Sequence, residues 1–371
     1  MLLAIQNTML AKAYKIYSRP FELNIVGVRA NSTEPNRFDD TINVFYKNNA
    51  GDWQYHQFPA TTDPGTFWLR NLMNPQGTAI VKHGQYIGSH GIGMHRGKYL
   101  AFTHADTYGM RHLRALAQAG MTDIHLLPVF DFATVPETGC TTPALTAGAR
   151  ADGPEIQASV MAQAATDCFN WGYDPLHYNA PEGSYATNAA DPAVRVRELR
   201  QAIMALHGAG LRVGMDVVYN HTSASGQHAQ SVLDRIVPGY YQRLSPQGAL
   251  EQSTCCANTA SEHAMMARLM VDSVALWARQ YQIDSFRFDL MGHQPKAAML
   301  QVAQAARKAA GRVVPLLGEG WNFGEVANAK RFVQASQLSL GGSGIATFSD
   351  RARDAIRGGG AGDNGADLVR H

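Results

Sequence analysis

Cysteine is scarce in this chain of 371 residues: there are four, Cys140, Cys168, Cys255 and Cys256, and no CxxC pair among them. A zinc site of the paired-cysteine kind is therefore not expected. An excess of either charge is also lacking. With a net charge of +2, nothing favours nucleic acid or an anionic membrane as a partner. No apolar run is long enough to span a bilayer. The opening MLLAIQNTMLAKAYKIYSRP has a short apolar run with no basic segment before it and no clear small-residue cleavage site, so no signal peptide is expected. Compartment stays open, because Cys140 and Cys168 can form a long-range disulfide in an oxidising one or all four thiols can stay reduced.

Helical periodicity is nearly absent from residues 1–97. Short β-like runs stand there instead, Phe21 to Val28 and Thr41 to Tyr46, with polar turns at Asn48-Asn49-Ala50-Gly51 and Asp63-Pro64-Gly65. That pattern predicts a small β-rich module, of unknown function. From Arg96 the style changes. Helical spacing over 104–120, 193–208, 261–280, 295–309 and 326–335 alternates with apolar strands at 124–129, 213–219, 283–288, 313–317 and 344–348. Continuous apolar strands between helices imply parallel βα units. These make about five units, whereas a closed (β/α) barrel needs eight. The expected fold class is therefore α/β, an incomplete (β/α)8 TIM-type barrel over 98–371 behind the β-rich module of 1–97. An insert at 131–190, rich in Gly, Pro and Ala, follows the first strand, where barrels carry their active-site loops.

The chemistry sits at strand ends. Asp284-Ser285-Phe286-Arg287-Phe288-Asp289-Leu290 and Leu317-Gly318-Glu319-Gly320-Trp321 are apolar runs that each end in an acid. Two such acids on neighbouring strands suggest a nucleophile and a general acid at one glycosidic bond. Arg287 and Asp289 are two apart and share a strand face, which suits an ionised carboxylate. Glu319 precedes Trp321, and an acid against apolar surface tends to hold its proton. Asp216 lies inside a strand that continues to Asn220 and His221. Trp171 and Tyr173, in Phe169-Asn170-Trp171-Gly172-Tyr173-Asp174-Pro175, offer rings on which sugar faces can pack. Plainer roles exist for each: an ion-paired structural carboxylate, a strand cap at Asn220 and His221, or core aromatics pinning the long loop. His83, His90 and His95 are irregularly spaced with no acid nearby, so exposed or satisfied histidines are expected rather than a metal site. Met265 and Met266 are expected in a helix core.

These segments together resemble the signature regions of the α-amylase clan of glycoside hydrolases. Asn170 to Pro175, with Gly318-Glu319-Gly320-Trp321, resembles type I pullulanase, a starch-debranching family. The resemblance runs from about Arg96 to His371 and includes Leu127 to Asp131, Val237 to Leu244 and Gly344 to Arg351. It implies Asp289 as nucleophile, Glu319 as acid/base and Arg287 as the group orienting Asp289. It also implies His221, Tyr173 and Asp216 at the sugar being cleaved, with Trp321 on the leaving-group side. The implied reaction is retaining hydrolysis of α-1,6-glucosidic linkages in pullulan and branched dextrins. Calcium is common in the family, but no Asp-rich loop here fixes its ligands; no cofactor is otherwise implied. Members are often secreted or on the cell surface. The family's third acid belongs to a His-Asp pair after the seventh strand. After Phe348 this sequence has only Asp350, Asp354, Asp363 and Asp367, so impaired turnover is expected. A catalytically inactive α-glucan-binding protein is the alternative. Asn71 to Ile80 weakly resembles small phage-encoded proteins. Ser89-His90-Gly91 faintly resembles peptidoglycan L,D-transpeptidases without their cysteine, which leaves a cell-wall role for the leading module as a further alternative.

Overall fold

The computed structural model describes residues 29–30, 41–47, 53–59, 95–141 and 154–359. The run Phe21–Val28, His83 and His90, the stretches at 71–80 and 89–91, and Asp363 and Asp367 lie outside the described residues. The chain divides into two compact units, residues 1–121 with 139–168, and residues 122–138 with 169–371. This boundary differs from the expected one at 97/98, because the first helix of the βα pattern and part of the insert fall in the first unit.

In the first unit, β1 (Arg29–Ala30), β2 (Thr41–Lys47) and β3 (Trp53–Pro59) form an antiparallel sheet in that order. Helix α1 (Tyr108–Gln118) starts at Thr107, whose hydroxyl accepts from the Met110 amide at 3.2 Å and satisfies one of the unpaired N–H groups of the first turn. Helix α2 (Glu155–Ala162) lies between Cys140 and Cys168, which are joined as a disulfide. His95 is satisfied by a ring–ring hydrogen bond to His104 at 2.7 Å.

The second unit is built on one parallel sheet. Its strands are β4 (Asp123–Leu126), β7 (Arg212–Val217), β10 (Ser285–Phe288), β11 (Leu316–Gly318) and β12 (Ala346–Thr347), adjacent in chain order. Five parallel units are what the alternating pattern implied. Between them, β5 (Phe130–Phe132) pairs antiparallel with β6 (Pro175–Pro181), and β8 (His221–Thr222) with β9 (Ala257–Asn258). The insert is thus partly regular structure. Helix α3 (Pro192–Gly208) opens with Asp191 accepting from the Ala193 amide and with proline in its first turn, where a missing N–H costs nothing. A single turn, α4 (Leu233–Ile236), precedes α5 (Ala264–Gln280). In α5, Met266, Met270, Val274 and Trp277 form one fully buried stripe. Met265, in contrast, is half exposed, so only one of the two methionines is core. Helix α6 (Lys296–Ala310) ends at Gly311, whose φ of 67° is the left-handed cap that favours glycine.

The helix expected over 326–335 does not form. Gly324–Ala329 is a kinked 3-10 segment in which Asn328 and Ala329 take positive φ, which halts a right-handed helix. A short final helix, α7 (Asp350–Arg357), is capped by Ser349. No helix among the described residues is long and apolar enough to cross a membrane.

Candidate active site

Strand register brings the charged residues together. On parallel neighbours Arg287 stands opposite Asp216, and Phe288 opposite Gly318. Arg287 and Asp216 therefore point to the same side of the sheet, and Asp289 and Glu319 follow just past the strand ends. A side chain at Gly318 would strike the Phe288 carbonyl, so the close approach of β10 and β11 depends on glycine here. After Asp289 the chain turns sharply: Leu290 has φ 41°, a left-handed conformation that costs on the order of 1 kcal/mol in a non-glycine residue. The turn aims the Leu290 amide at Glu319 Oε2, 3.0 Å away.

One guanidinium serves three acids. Arg287 Nη1 donates to Asp216 Oδ1 at 3.0 Å and to Asp289 Oδ1 at 2.9 Å, while Nη2 pairs with Glu319 Oε1 at 2.9 Å. Asp289 also accepts from Asn220 Nδ2 through Oδ2 (2.8 Å) and its own carbonyl (2.9 Å). Tyr173 donates its hydroxyl to Asp216 Oδ2 at 2.6 Å. The rings of Tyr173 and Phe348 stand 5.7 and 5.8 Å from the guanidinium carbon, within cation–π range.

Glu319 thus meets a cation and an amide rather than the apolar surface suggested by Trp321. Phe348 carried no assigned role in the sequence reading, although its apolar ring after a short strand was there to be seen.

His221 is buried, and both its ring nitrogens are engaged: Nδ1 with Asn220 Oδ1 at 2.6 Å, Nε2 with the Tyr173 carbonyl at 2.8 Å. Burial pushes its pKa below the ordinary histidine value. It supports Asn220 and the Tyr173 backbone instead of facing open space. Trp171 is 40% exposed, so it is no core pin. Trp321, Asn322, Gln337, Leu338 and Phe348 line a groove of about 900 Å³ that also includes Gly320, the residue after Glu319.

Three carboxylates against one guanidinium leave the cluster short of positive charge. Burial pushes the Asp216 carboxyl up to about 6, against the pull of Arg287 and Tyr173, with Asp289 adding like-charge repulsion. Burial opposes the charge on Arg287, yet the three acids still hold its pKa above the ordinary value. Burial and the Asp216 hydrogen bond together raise Tyr173.

A pH signature follows. The folded Asp216 binds its proton more tightly than the unfolded carboxyl, whose ordinary value is 3.8. Its stabilising contribution is full below the unfolded value of 3.8 and is lost as pH rises through about 6. Two units correspond to roughly 3 kcal/mol at most. Urea midpoints of Asp216→Asn, compared with the parent between pH 4 and pH 7, should lack this downward component. Parallel pH profiles would show that Asp216 does not titrate in this window.

Asp131, Glu137 and Glu182 also gather their carboxylates, within 4.8 Å of one another. They do not fit a calcium site. Arg195 pairs with both Asp131 and Glu137, His177 bonds Asp131, and Glu182 is spent on the Phe132 and Ser184 amides. Existing donors already hold the carboxylate oxygens that a calcium ion would need as ligands.

No family model matches the chain. Curated relatives do. It is 47% identical over 276 residues to "Pullulanase 1, chloroplastic" of Arabidopsis thaliana, covering 71% of this chain and 28% of that one. It is 43% identical over 309 residues to a pullulanase of Klebsiella pneumoniae, covering 73% and 28%. The crystal structure of PulA from Klebsiella oxytoca superposes with a TM-score of 0.68 at 42% identity, over 74% of this chain and 29% of that one. The type I pullulanase of Bacillus subtilis complexed with maltose gives a TM-score of 0.57 at 34% identity, over 71% and 34%. The chain spans about three tenths of the length of these relatives.

Proposed function

The larger part of this chain is a pullulanase-type segment of the α-amylase clan, an α/β stretch of a TIM-type barrel, and on that premise we propose that its site acts on α-1,6-glucosidic linkages of branched α-glucans. The observation that carries the reading is the single guanidinium of Arg287 shared by Asp289 and Glu319. Acids bonded to two nitrogens of one guanidinium lie in the few-ångström range of a retaining pair, about 5 Å apart.

In this reading Asp289 attacks the anomeric carbon while Glu319 gives its proton to the departing glycosidic oxygen. Glu319 then takes a proton from the water that breaks the glycosyl–Asp289 ester. Arg287 and Asn220 hold Asp289 in place through both carboxylate oxygens. Tyr173 and Asp216 border the sugar, with exposed Trp171 and half-buried Trp321 as candidate platforms. A maltotriose complex of the Klebsiella pneumoniae pullulanase supports an α-glucan as ligand.

A second reading is binding without turnover. Both Glu319 oxygens are occupied, by Arg287 and by the Leu290 amide, so neither is free to meet a glycosidic oxygen in this arrangement.

Reducing-sugar release from pullulan by the chain and by Asp289→Asn, with maltotriose binding measured alongside, tests both readings. Release that vanishes in the variant supports the hydrolase. Binding with no release from either protein supports the second reading. Absence of both overturns the α-glucan assignment.

A further inference from the structure

Next to the three acids lies a group of ligands that hydrolysis does not use. Cys255 Sγ is 3.8 Å from His221 Nε2, and the donor atoms of His221, Cys255 and Cys256 all lie within 4.8 Å of one another. The two sulfurs are joined as a disulfide between adjacent residues. Cys255 is exposed and Cys256 half-buried, whereas His221 is buried.

We propose that, once this disulfide is reduced, Cys255, Cys256 and His221 form a three-ligand site for a thiophilic cation of the Zn²⁺ and Cd²⁺ class. A dithiol reductant supplies two electrons and two protons, the S–S bond opens to two thiols, and the reductant becomes a disulfide. Metal binding then displaces the two thiol protons to solvent. For a tetrahedral ion with metal–sulfur and metal–nitrogen bonds near 2.3 and 2.0 Å, sulfur and nitrogen stand roughly 3.6 Å apart. The observed separation of 3.8 Å is close to that. The exposed side at Cys255 leaves room for water as fourth ligand.

The surroundings of His221 suit a ligand. With Nε2 on the ion, Nδ1 carries the hydrogen and donates to Asn220 Oδ1, already at 2.6 Å. A second hydrogen-bonded oxygen of this kind orients most metal-bound histidines. The ion would compete with the Tyr173 carbonyl for Nε2, and Asn220 in turn holds Asp289. Occupancy of this site is thereby linked to the placement of the carboxylate. The absence of a CxxC pair argued against zinc from sequence, but adjacent cysteines with a histidine from another loop have no spacing signature.

The test is a Cd²⁺ titration of the full chain reduced with a phosphine, a reductant that does not itself chelate as a dithiol would. Near-ultraviolet thiolate-to-cadmium absorbance reads sulfur ligation, and calorimetry gives the stoichiometry. We expect one ion per reduced chain and none per unreduced chain. Cys255→Ser/Cys256→Ser keeps Cys140 and Cys168 and should lose the absorbance. His221→Gln should bind at least about tenfold more weakly. If that variant does not fold, the ring-nitrogen shift of ¹⁵N-histidine-labelled parent on adding Cd²⁺ reports the same ligand. Absorbance that persists in the double serine variant overturns the proposal. So does unchanged affinity in His221→Gln, or an unmoved ring nitrogen.

Discussion

Replacing Arg287 with methionine should destabilise the second unit by about 3 to 5 kcal/mol at neutral pH, the cost of removing one partner from a buried ion network. Methionine fills much of the same volume, so the loss is electrostatic and not a cavity. Asp216 and Asp289 keep only their bonds to Tyr173 and Asn220, and Glu319 keeps only the Leu290 amide. Three carboxylates then face one another with no cation between them, and Asp216, already raised by burial, loses the cation that opposes that rise. The variant therefore binds more protons when folded, and its deficit should shrink as pH falls from 7 to 5. Urea unfolding at both pH values measures this. A deficit under about 1 kcal/mol, or one equal at both pH values, would mean that Arg287 does not neutralise the cluster.

A loss of similar size is expected for Arg243→Met. Arg243 is fully buried and all three of its nitrogens are engaged. It pairs bidentately with Glu262 at 2.8 to 3.2 Å, meets Glu325 at 2.9 Å and donates to the His293 carbonyl at 3.0 Å. Glu325 also accepts from Asn258 at 2.9 Å and from Ser253. Burial works against the Glu325 charge, but these donors hold its carboxyl down to about 2. One arginine thus ties the loop carrying β9 to the Gly324–Ala329 segment and to the turn after β10. Without it, two acids and a carbonyl lose a buried partner, again about 3 to 5 kcal/mol. For a unit of this size that is roughly 10 °C in midpoint temperature. Thermal unfolding followed by circular dichroism would read it, and a shift below about 2 °C would remove Arg243 from its structural role.

Arg243 also shows where sequence reading stops. It stands inside the quoted stretch Val237 to Leu244, yet its partners lie 19, 50 and 82 residues away, and nothing local names them. Arg287 and Asp289 were legible because strand alternation alone puts them on one face. That Glu319 shares their guanidinium depends on register between strands, which no single segment encodes. Its polar surroundings were missed for the same reason, since Trp321 is near in sequence but the nearest charge is not. The parallel strands were visible as apolar runs, but their ends shifted. The run at 124–129 stops being strand at Leu126, two residues before Pro128, which has no amide to give the ladder. At 326–335 apolar spacing resembled a helix, while Asn328 and Ala329 take positive φ where Asn328 exchanges two hydrogen bonds with Asn322. The tie between Cys255, Cys256 and His221 had no signal in spacing at all.

Strand neighbours that follow chain order also set a schedule for assembly. The Leu290 amide and Glu319 are 29 residues apart, Arg287 and Asp216 are 71 apart, and the Arg212–Asp123 pair that joins the first strand spans 89. Closing the longest of these spans costs roughly 1 kcal/mol more in chain entropy than closing the shortest. The last three strands should therefore pair early, with Asp289 and Glu319 meeting Arg287 in a half-built sheet. Asp216 arrives afterwards, and with it the third negative charge. The arginine is satisfied before the acid that overloads it comes into place, so each intermediate on this route is closer to neutral than the finished site.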